Sequence, residues 1–307
     1  MQQRVDLLQA ATSATQSLSP GDLENLFDDP LIIVSVPRAG STLLVEQLQR
    51  IAGVWRVGGE SRASFFACPH LRAANAAVDS GCLDASHADP DTADQMRRCF
   101  AFLLGDHQGQ RYLRLDPRPR SIVLLEKTPR NALNIPFLLE VFPRARFVFL
   151  HREPPQNIAS IIDAWREGLQ TGRFVTFRDL PGWDLPAWCF LLPPGWQRLN
   201  GRDLAAIAAF QWSAGNQVIL DDLERLPPGR WTTTSYERFV SEPAAILTKI
   251  VNFAGLDAPG LMPDADQLPL SRTTLTPPHP NKWRRHEAAI NNVREEWGAV
   301  AARIAAL

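Results

Sequence analysis

The stretch LIIVSVPRAGSTLLVEQLQR, residues 31–50, joins an apolar run to a second apolar segment through a short polar loop. The run at 31–36 is continuously apolar apart from one serine, as in strands that are buried on both faces of a parallel sheet. After the loop at 37–42, apolar residues recur at helical spacing to about residue 52. The stretch therefore predicts a strand, a loop and a helix, an arrangement that binds phosphate groups.

The same alternation of strand and helix continues along the chain. SIVLLEKTPRN (121–131) and RARFVFLHREPPQ (144–156) are apolar runs with charged ends, and each is followed by a helical pattern. The sequence therefore predicts an α/β fold with a P-loop-like central parallel sheet flanked by helices. Because active residues lie at the carboxyl ends of such strands, three groups are candidates for the site, at 38–42, 127–130 and 151–152.

Three further segments carry less certain patterns. Residues 1–27 are expected to form one amphipathic helix, and residues 230–240 are expected to form a strand. Residues 171–200 crowd Pro, Gly and Trp together without periodicity, which indicates a loop insert. This insert is either a lid over a second substrate or a surface loop packed on its own tryptophans.

Composition limits the classes of function. The net charge is −1 over 307 residues, so bulk charge favours neither nucleic acid nor an anionic membrane as partner. No run approaches the roughly 20 apolar residues of a membrane span. Four cysteines without paired short spacing predict neither a disulfide framework nor a metal cluster. We expect a single cytoplasmic domain over residues 1–307. The sequence does not indicate its oligomeric state.

The loop after the first strand has the donors of an anion site. Its backbone N–H groups and the hydroxyls of Ser41 and Thr42 can point at one anion, and Gly40 permits close approach of the backbone. Arg38, next to Ala39, can neutralise a terminal oxyanion. The loop lacks the Gly-Lys pair of nucleotide triphosphatases. The alternative is an ordinary strand-to-helix turn with a serine cap.

A second element, FVFLHREPPQNIASII, lies further along the chain. Arg152 leaves the end of a predicted strand, and Ser160 follows eight residues later on a helix. A guanidinium and a hydroxyl in this position can bind one phosphate, with the arginine bidentate. The alternative is a surface arginine and an unrelated helical serine. His151 is either a second base or a structural residue.

Together the two elements resemble the paired phosphate-binding motifs of sulfotransferases that use 3′-phosphoadenosine 5′-phosphosulfate (PAPS). VPRAGSTLL resembles the loop for the 5′-phosphosulfate, and Arg152 with Ser160 resembles the pair that binds the 3′-phosphate. The loop arginine, Arg38, is similar to that of tyrosylprotein sulfotransferases and many bacterial relatives. The resemblance covers about residues 30–285 and implies the sulfotransferase fold.

Four further segments extend the resemblance. VWRVGGESR resembles a segment whose glutamate is the catalytic base, here Glu60, and EKTP implies Lys127 at the sulfuryl group. SYERFVSEP implies that Tyr236 lies by the nucleotide. SRTTLTPPHPNKW resembles a cofactor loop, which implies Ser271 near the transferred group and Lys282 on a phosphate.

Two departures from the family pattern narrow these expectations. The cytosolic branch carries its base as a histidine just after the lysine, but Lys127 is followed by Thr128, so Glu60 is the expected base. Tyrosylprotein enzymes also place an arginine where this chain has Ala164. Specificity for protein tyrosine is therefore not implied.

The expected reaction is in-line transfer of the sulfuryl group from PAPS to a hydroxyl of an unidentified acceptor, which leaves 3′-phosphoadenosine 5′-phosphate (PAP). Arg38 and Lys127 are expected to stabilise the leaving group, Glu60 to take the proton, and no metal is required. One alternative is a P-loop kinase or nucleotidase, which needs a Gly-Lys-Ser/Thr loop and a strand-end aspartate for Mg²⁺. The other is a non-catalytic nucleotide-binding protein.

Overall fold

A computed structural model of the protein describes residues 6–71, 79–256, 268–277 and 279–307. Within these residues the strands are β1 (Leu31–Val34), β2 (Val54–Trp55), β3 (Val123–Glu126), β4 (Arg146–His151), β5 (Val175–Arg178), β6 (Ala187–Cys189) and β7 (Trp231–Ser235). The α-helices there are α1 (Leu7–Ala14), α2 (Pro20–Leu26), α3 (Ser41–Leu48), α4 (Arg62–Ala67), α5 (Pro90–Leu103), α6 (Ile135–Val141), α7 (Pro154–Thr171), α8 (Leu204–Leu223), α9 (Tyr236–Ser241), α10 (Pro243–Ala254), α11 (Glu287–Asn292) and α12 (Arg294–Ala305). None of the described helices combines the length and hydropathy that a bilayer-spanning helix needs.

Five strands form a sheet in the order β2-β3-β1-β4-β7. Every neighbouring pair is parallel, and in the register of the central strands Leu31 lies between Leu125 and Arg146. The predicted α/β class, a parallel sheet flanked by helices, is confirmed. The carboxyl ends of the four longest strands of this sheet therefore lie at one edge.

The two faces of the sheet are covered by different helices. Along β1, Leu31 and Ile33 pack with apolar residues of α3 and α10. The alternating residues Ile32 and Val34 join a larger core with α5, α6, α7, α8 and α12. Side chains of a strand alternate between its faces, so an uninterrupted apolar run is required where both faces are covered.

The single helix expected over residues 1–27 is wrong. Residues 1–5 lie outside the described part of the chain, and the remainder forms α1 and α2. Asp22 N–H donates to Ser19 Oγ (3.1 Å), and Ser19 N–H donates to Asp22 Oδ2 (2.9 Å). This reciprocal cap, with Pro20 as the first helical residue, begins a new helix because proline cannot continue the preceding one.

The strand expected over residues 230–240 is too long. β7 ends at Ser235, whose Oγ accepts a hydrogen bond from Arg238 N–H (3.1 Å) and caps α9. Tyr236 is therefore the first residue of a helix at the sheet edge.

The insert at 171–200 contains the antiparallel pair β5 and β6. Trp183, Trp188 and Trp196 are buried, and their rings pack edge to face around Trp188 at centroid distances of 4.7 and 5.7 Å. The Trp188 indole N–H donates to the carbonyl of Leu191 (2.6 Å), so its polar atom is satisfied. The tryptophans belong to the core, which favours the self-packed alternative for these three side chains.

We expect Trp188→Ala to lower the free energy of unfolding by about 3–5 kcal/mol, because it opens a cavity inside the tryptophan cluster. Denaturant titration measures this loss. Leu307→Ala is the control, since Leu307 is 51% exposed, and it should change stability by no more than about 0.5 kcal/mol. A loss below about 1 kcal/mol for Trp188→Ala would show that the cluster does not stabilise the fold.

Candidate functional site

The carboxyl ends of the parallel strands open onto a cavity of about 530 Å³. Ala39, in the loop after β1, is fully buried and does not line this cavity. The other residues predicted from the sequence do line it, namely Arg38, Gly40, Ser41, Thr42, Glu60, Lys127, Arg152, Ser160, Tyr236, Ser271 and Lys282.

The loop that follows β1 packs directly on Tyr236. Gly40 has a left-handed φ of 100°, and a Cβ atom on it would overlap the Tyr236 ring. Only glycine meets both requirements without strain. Since α3 begins at Ser41, the free N–H groups of its first turn lie in this loop, where they stabilise an anion.

An ion pair between the buried Lys127 and the more exposed Glu60 joins three segments beside this loop. Lys127 Nζ lies 3.1 Å from Glu60 Oε1 and 3.4 Å from Thr42 Oγ1. The Lys127 side chain is 3% exposed, whereas that of Glu60 is 42% exposed. An ammonium removed from water needs a counter-charge, so the pair keeps the end of β3, the residues after β2 and the start of α3 together.

A second carboxylate, which sequence reasoning missed, lies beneath this ion pair. Glu126 is 1% exposed, and its Oε1 accepts hydrogen bonds from the hydroxyls of Ser61 and Thr128, both at 2.7 Å. Thr128 Oγ1 also accepts from Ser61 N–H (2.8 Å). The residues that follow Glu60 and Lys127 in sequence are thus bound to each other and to one carboxylate.

The environment of Glu126 has opposing effects on the pKa of its carboxyl group. Burial raises the pKa of Glu126, while hydrogen bonds from Ser61, Thr128 and Asn131 and the charge of Arg56 lower it. The signal in the sequence is an acidic residue at the end of the apolar run VLLE. A buried strand carries such a residue only where hydrogen bonds satisfy it.

The other end of the cavity, which we call the basic end, contains Arg38, Arg152, Ser160 and Lys282. Arg38 Nε donates to Ser160 Oγ (3.3 Å), and Arg152 Nη1 donates to the Arg38 carbonyl (3.2 Å). The Arg152 guanidinium lies 4.6 Å from the centroid of the Tyr236 ring. The structure thus brings together the two phosphate motifs that the sequence indicates.

Cations at the basic end destabilise one another. Burial, then the charges of Arg152 and Arg173, lowers the pKa of Arg38 to about 10. Burial also lowers the pKa of Lys282, with further effects from Arg285, Arg152 and Arg38. Arg38 stays charged at neutral pH, and an anion bound among these cations would relieve their repulsion.

Ser271 and Lys282 lie on the C-terminal segment beside the basic end. Ser271 Oγ is 3.0 Å from Thr273 Oγ1, and the Thr273 carbonyl accepts a hydrogen bond from Arg38 Nη1 (3.1 Å). Lys282 Nζ donates to the carbonyl of Thr276 (3.3 Å). The segment therefore contacts the loop after β1 through the side chain of Arg38.

His151 does not line the cavity. It ends β4, and its ring lies 5.4 Å from that of Phe149. Burial lowers the pKa of His151 to about 4, so the imidazole is neutral at physiological pH. This position favours the structural alternative for His151.

The sequence model of the sulfotransferase family matches residues 30–192, which is more than half of the 307 residues and includes the loop, Glu60, Lys127 and Arg152. The chain belongs to the sulfotransferase family. Sulfotransferase STF1 from Mycobacterium tuberculosis H37Rv is 15% identical, with 94% of this chain and 81% of that chain covered and a TM-score of 0.51. This likeness shows the same fold.

Two other solved sulfotransferases give lower structural scores. The sulfotransferase domain of the Synechococcus PCC 7002 olefin synthase is 19% identical, with 90% of this chain and 94% of that chain covered and a TM-score of 0.48. A mouse sulfotransferase complexed with PAP is 14% identical, with 94% of each chain covered and a TM-score of 0.39. A search of curated proteins finds no significant match.

We expect the stability of this sulfotransferase to fall as the pH decreases from about 6.5 to about 4, in part through His151. The unfolded chain protonates this histidine near its ordinary pKa of 6.5, whereas the folded chain does so only near 4, so protonation favours unfolding in this window. Denaturant titrations across the window measure the effect. The loss should be smaller in His151→Gln, and equal losses in the two proteins would contradict the assignment.

Proposed function

We propose that this sulfotransferase transfers the sulfuryl group of PAPS to a hydroxyl group of an acceptor. Family membership supports sulfuryl transfer in general. The observation that carries the specific proposal is the contact of 3.1 Å between Lys127 and Glu60, next to the anion loop. It joins a buried cation, suited to the leaving group, to an accessible carboxylate, suited to the proton of the acceptor.

In this proposal the basic end binds the nucleotide. Arg152, Ser160 and Lys282 hold the 3′-phosphate, and the loop at 38–42 holds the 5′-phosphosulfate. The repulsion of Arg38 and Lys282 by neighbouring cations supports this, because it exceeds the opposing effect of Asp163 on both groups and a bound polyanion would relieve it. Tyr236 gives the nucleotide an aromatic surface beside the loop.

The proposed reaction is a single displacement at sulfur. PAPS supplies the sulfuryl group, and PAP leaves when the bond between sulfur and the bridging oxygen breaks. Glu60 takes the hydroxyl proton as the acceptor oxygen bonds to sulfur. Lys127 donates a hydrogen bond to the bridging oxygen as negative charge develops there, and Ser271 supplies a further hydroxyl near the transferred group. The new sulfate ester and PAP are the products.

We expect PAP to raise the melting temperature of the protein more than ATP with Mg²⁺ does. Arg152→Ala should weaken PAP binding by about 1.5–3 kcal/mol, or about 10- to 150-fold, because it removes a charge-assisted contact to the 3′-phosphate. Calorimetric titration measures the affinity of the wild-type protein and of the variant for PAP. Arg166→Ala is the control, since Arg166 is exposed on α7 outside the cavity. Stabilisation by ATP with Mg²⁺ alone would instead indicate a kinase or nucleotidase.

Lys127→Ala and Glu60→Gln should reduce transfer while PAP still binds. Loss of the cation is expected to lower kcat about 10²- to 10³-fold, and loss of the base about 10²- to 10⁴-fold. Release of PAP from labelled PAPS in the presence of a panel of hydroxyl compounds measures turnover. Glu140→Gln, an exposed carboxylate on α6, is the matched control. Normal turnover in both site variants would show that the chemistry takes place elsewhere.

A further inference from the structure

Three further arginines, outside the two nucleotide motifs, line the same cavity as Glu60. Arg62 begins α4, Arg130 lies in a short 3₁₀ helix (Pro129–Leu133) after β3, and Arg178 ends β5. Within the described ranges, none of the three forms an ion pair. Among the described residues, the carboxylates that line the cavity are Glu60 and Asp163; Glu60 is paired with Lys127, and Asp163 is paired with Arg285 and His286.

Arg130 is the least solvated of these arginines. Its guanidinium stacks 4.5 Å from the centroid of the Phe65 ring, and its Nη2 donates to the carbonyl of Leu71 (2.8 Å). Its Nε is buried and has no hydrogen-bond partner in the described part of the chain. Burial lowers the pKa of Arg130 to about 10, with a further effect from the charge of Arg62. A cation held in this way, without a counter-charge, attracts an anion.

Arg62 connects α4 to β5, the strand that ends with Arg178. Arg62 Nη2 donates to the carbonyl of Thr176 (3.3 Å), and Arg178 follows Thr176 by two residues on β5. Both arginines are exposed at the cavity wall, so their remaining N–H groups can turn to a ligand. Paired guanidinium groups of this kind bind carboxylate and phosphate groups bidentately.

Apolar side chains line much of the same cavity. The insert at 171–200 and α4 bring aromatic and aliphatic side chains to it, namely Phe66, Phe174, Phe177, Phe190, Leu191 and Leu192. Such a lining favours a ligand with an apolar or aromatic body. While the tryptophans and these two leucines of the insert are buried in the core, its phenylalanines are partly exposed at the cavity and can contact a second substrate.

We propose that the acceptor is a small hydroxyl compound with an apolar or aromatic body and an anionic group that binds at Arg130 and Arg62. This inference rests on the sulfuryl transfer proposed above. Arg62 follows Glu60 by two residues, and Arg130 follows Lys127 by three, so the anion subsite adjoins the reacting pair. The short sequence separation, inside a cavity of about 530 Å³ that the proposed nucleotide would also occupy, suits a small molecule.

The test uses the full chain, PAPS and a panel of hydroxyaryl and hydroxyalkyl carboxylates, each paired with its neutral methyl ester and with a phosphate monoester of similar length. We expect kcat/KM for the better anion of a set to exceed that for the ester by about tenfold or more, as one charge-assisted contact gives. The carboxylate and phosphate arms identify which anion the site prefers.

Arg130→Gln should reduce the ratio of anion to ester toward one without changing the PAP-induced rise in melting temperature. Arg62→Gln, at an exposed position, tests the same point if Arg130→Gln does not fold. Arg120→Gln is the matched control, because Arg120 is exposed and precedes β3 at the end opposite to Lys127. This control should keep both the ratio and the PAP response.

The outcomes separate the two proposals. If PAP does not stabilise the wild-type protein, the proposed sulfuryl transfer fails. If PAP binds but esters are used as well as anions, if no panel member is used, or if the preference survives in both arginine variants, the anion subsite is wrong. A tyrosine peptide with flanking aspartates that is used better than every small anion would also overturn the proposal, because it would show that the acceptor is not a small molecule.

Discussion

The ammonium group of Lys127 is the feature on which the geometry of the site depends. At 3% exposure it has lost its hydration, and it lies within hydrogen-bond distance of Glu60 and Thr42. Each partner comes from a different segment, so separating any of them would leave a buried charge uncompensated. Glu126 reinforces this arrangement from beneath, through hydrogen bonds to the residues that follow Lys127 and Glu60 in sequence. The two side chains of the ion pair are thus held beside the carboxyl end of β3.

Positive charge is concentrated along the cavity that contains this pair, although the chain as a whole has a net charge of −1. Arg38 and Arg152 lie at the basic end, and Arg130 and Arg62 line the cavity as well. Burial and like charge lower the pKa of Arg38 and that of Arg130 to about 10. This arrangement destabilises the empty protein and stabilises complexes with anions, a common compromise between stability and function. The local field, and not the total charge, therefore indicates the ligands.

Much of the fold was predictable because strands buried on both faces leave long apolar runs in the sequence. The two errors, at 1–27 and 230–240, arise where Ser19 and Ser235 cap new helices, and these are local signals that apolar periodicity alone overlooks. The contacts of Glu126 were harder to predict, since Ser61 is distant in sequence and meets it only through the pairing of β2 with β3. The lack of a counter-charge for Arg130 among the described residues is a property of the packed structure, and no sequence pattern reports it.

The position of Arg38 changes the expected distribution of charge in the reaction. From the sequence, Arg38 and Lys127 were both expected at the leaving group. In the structure the Arg38 side chain contacts Ser160 and the carbonyl of Thr273, while Arg152 holds its main-chain oxygen. Arg38 thus lies with the residues proposed to bind phosphate and with the C-terminal segment. Charge on the bridging oxygen would then be met chiefly by Lys127, whose burial makes its hydrogen bond stronger than the same bond in water.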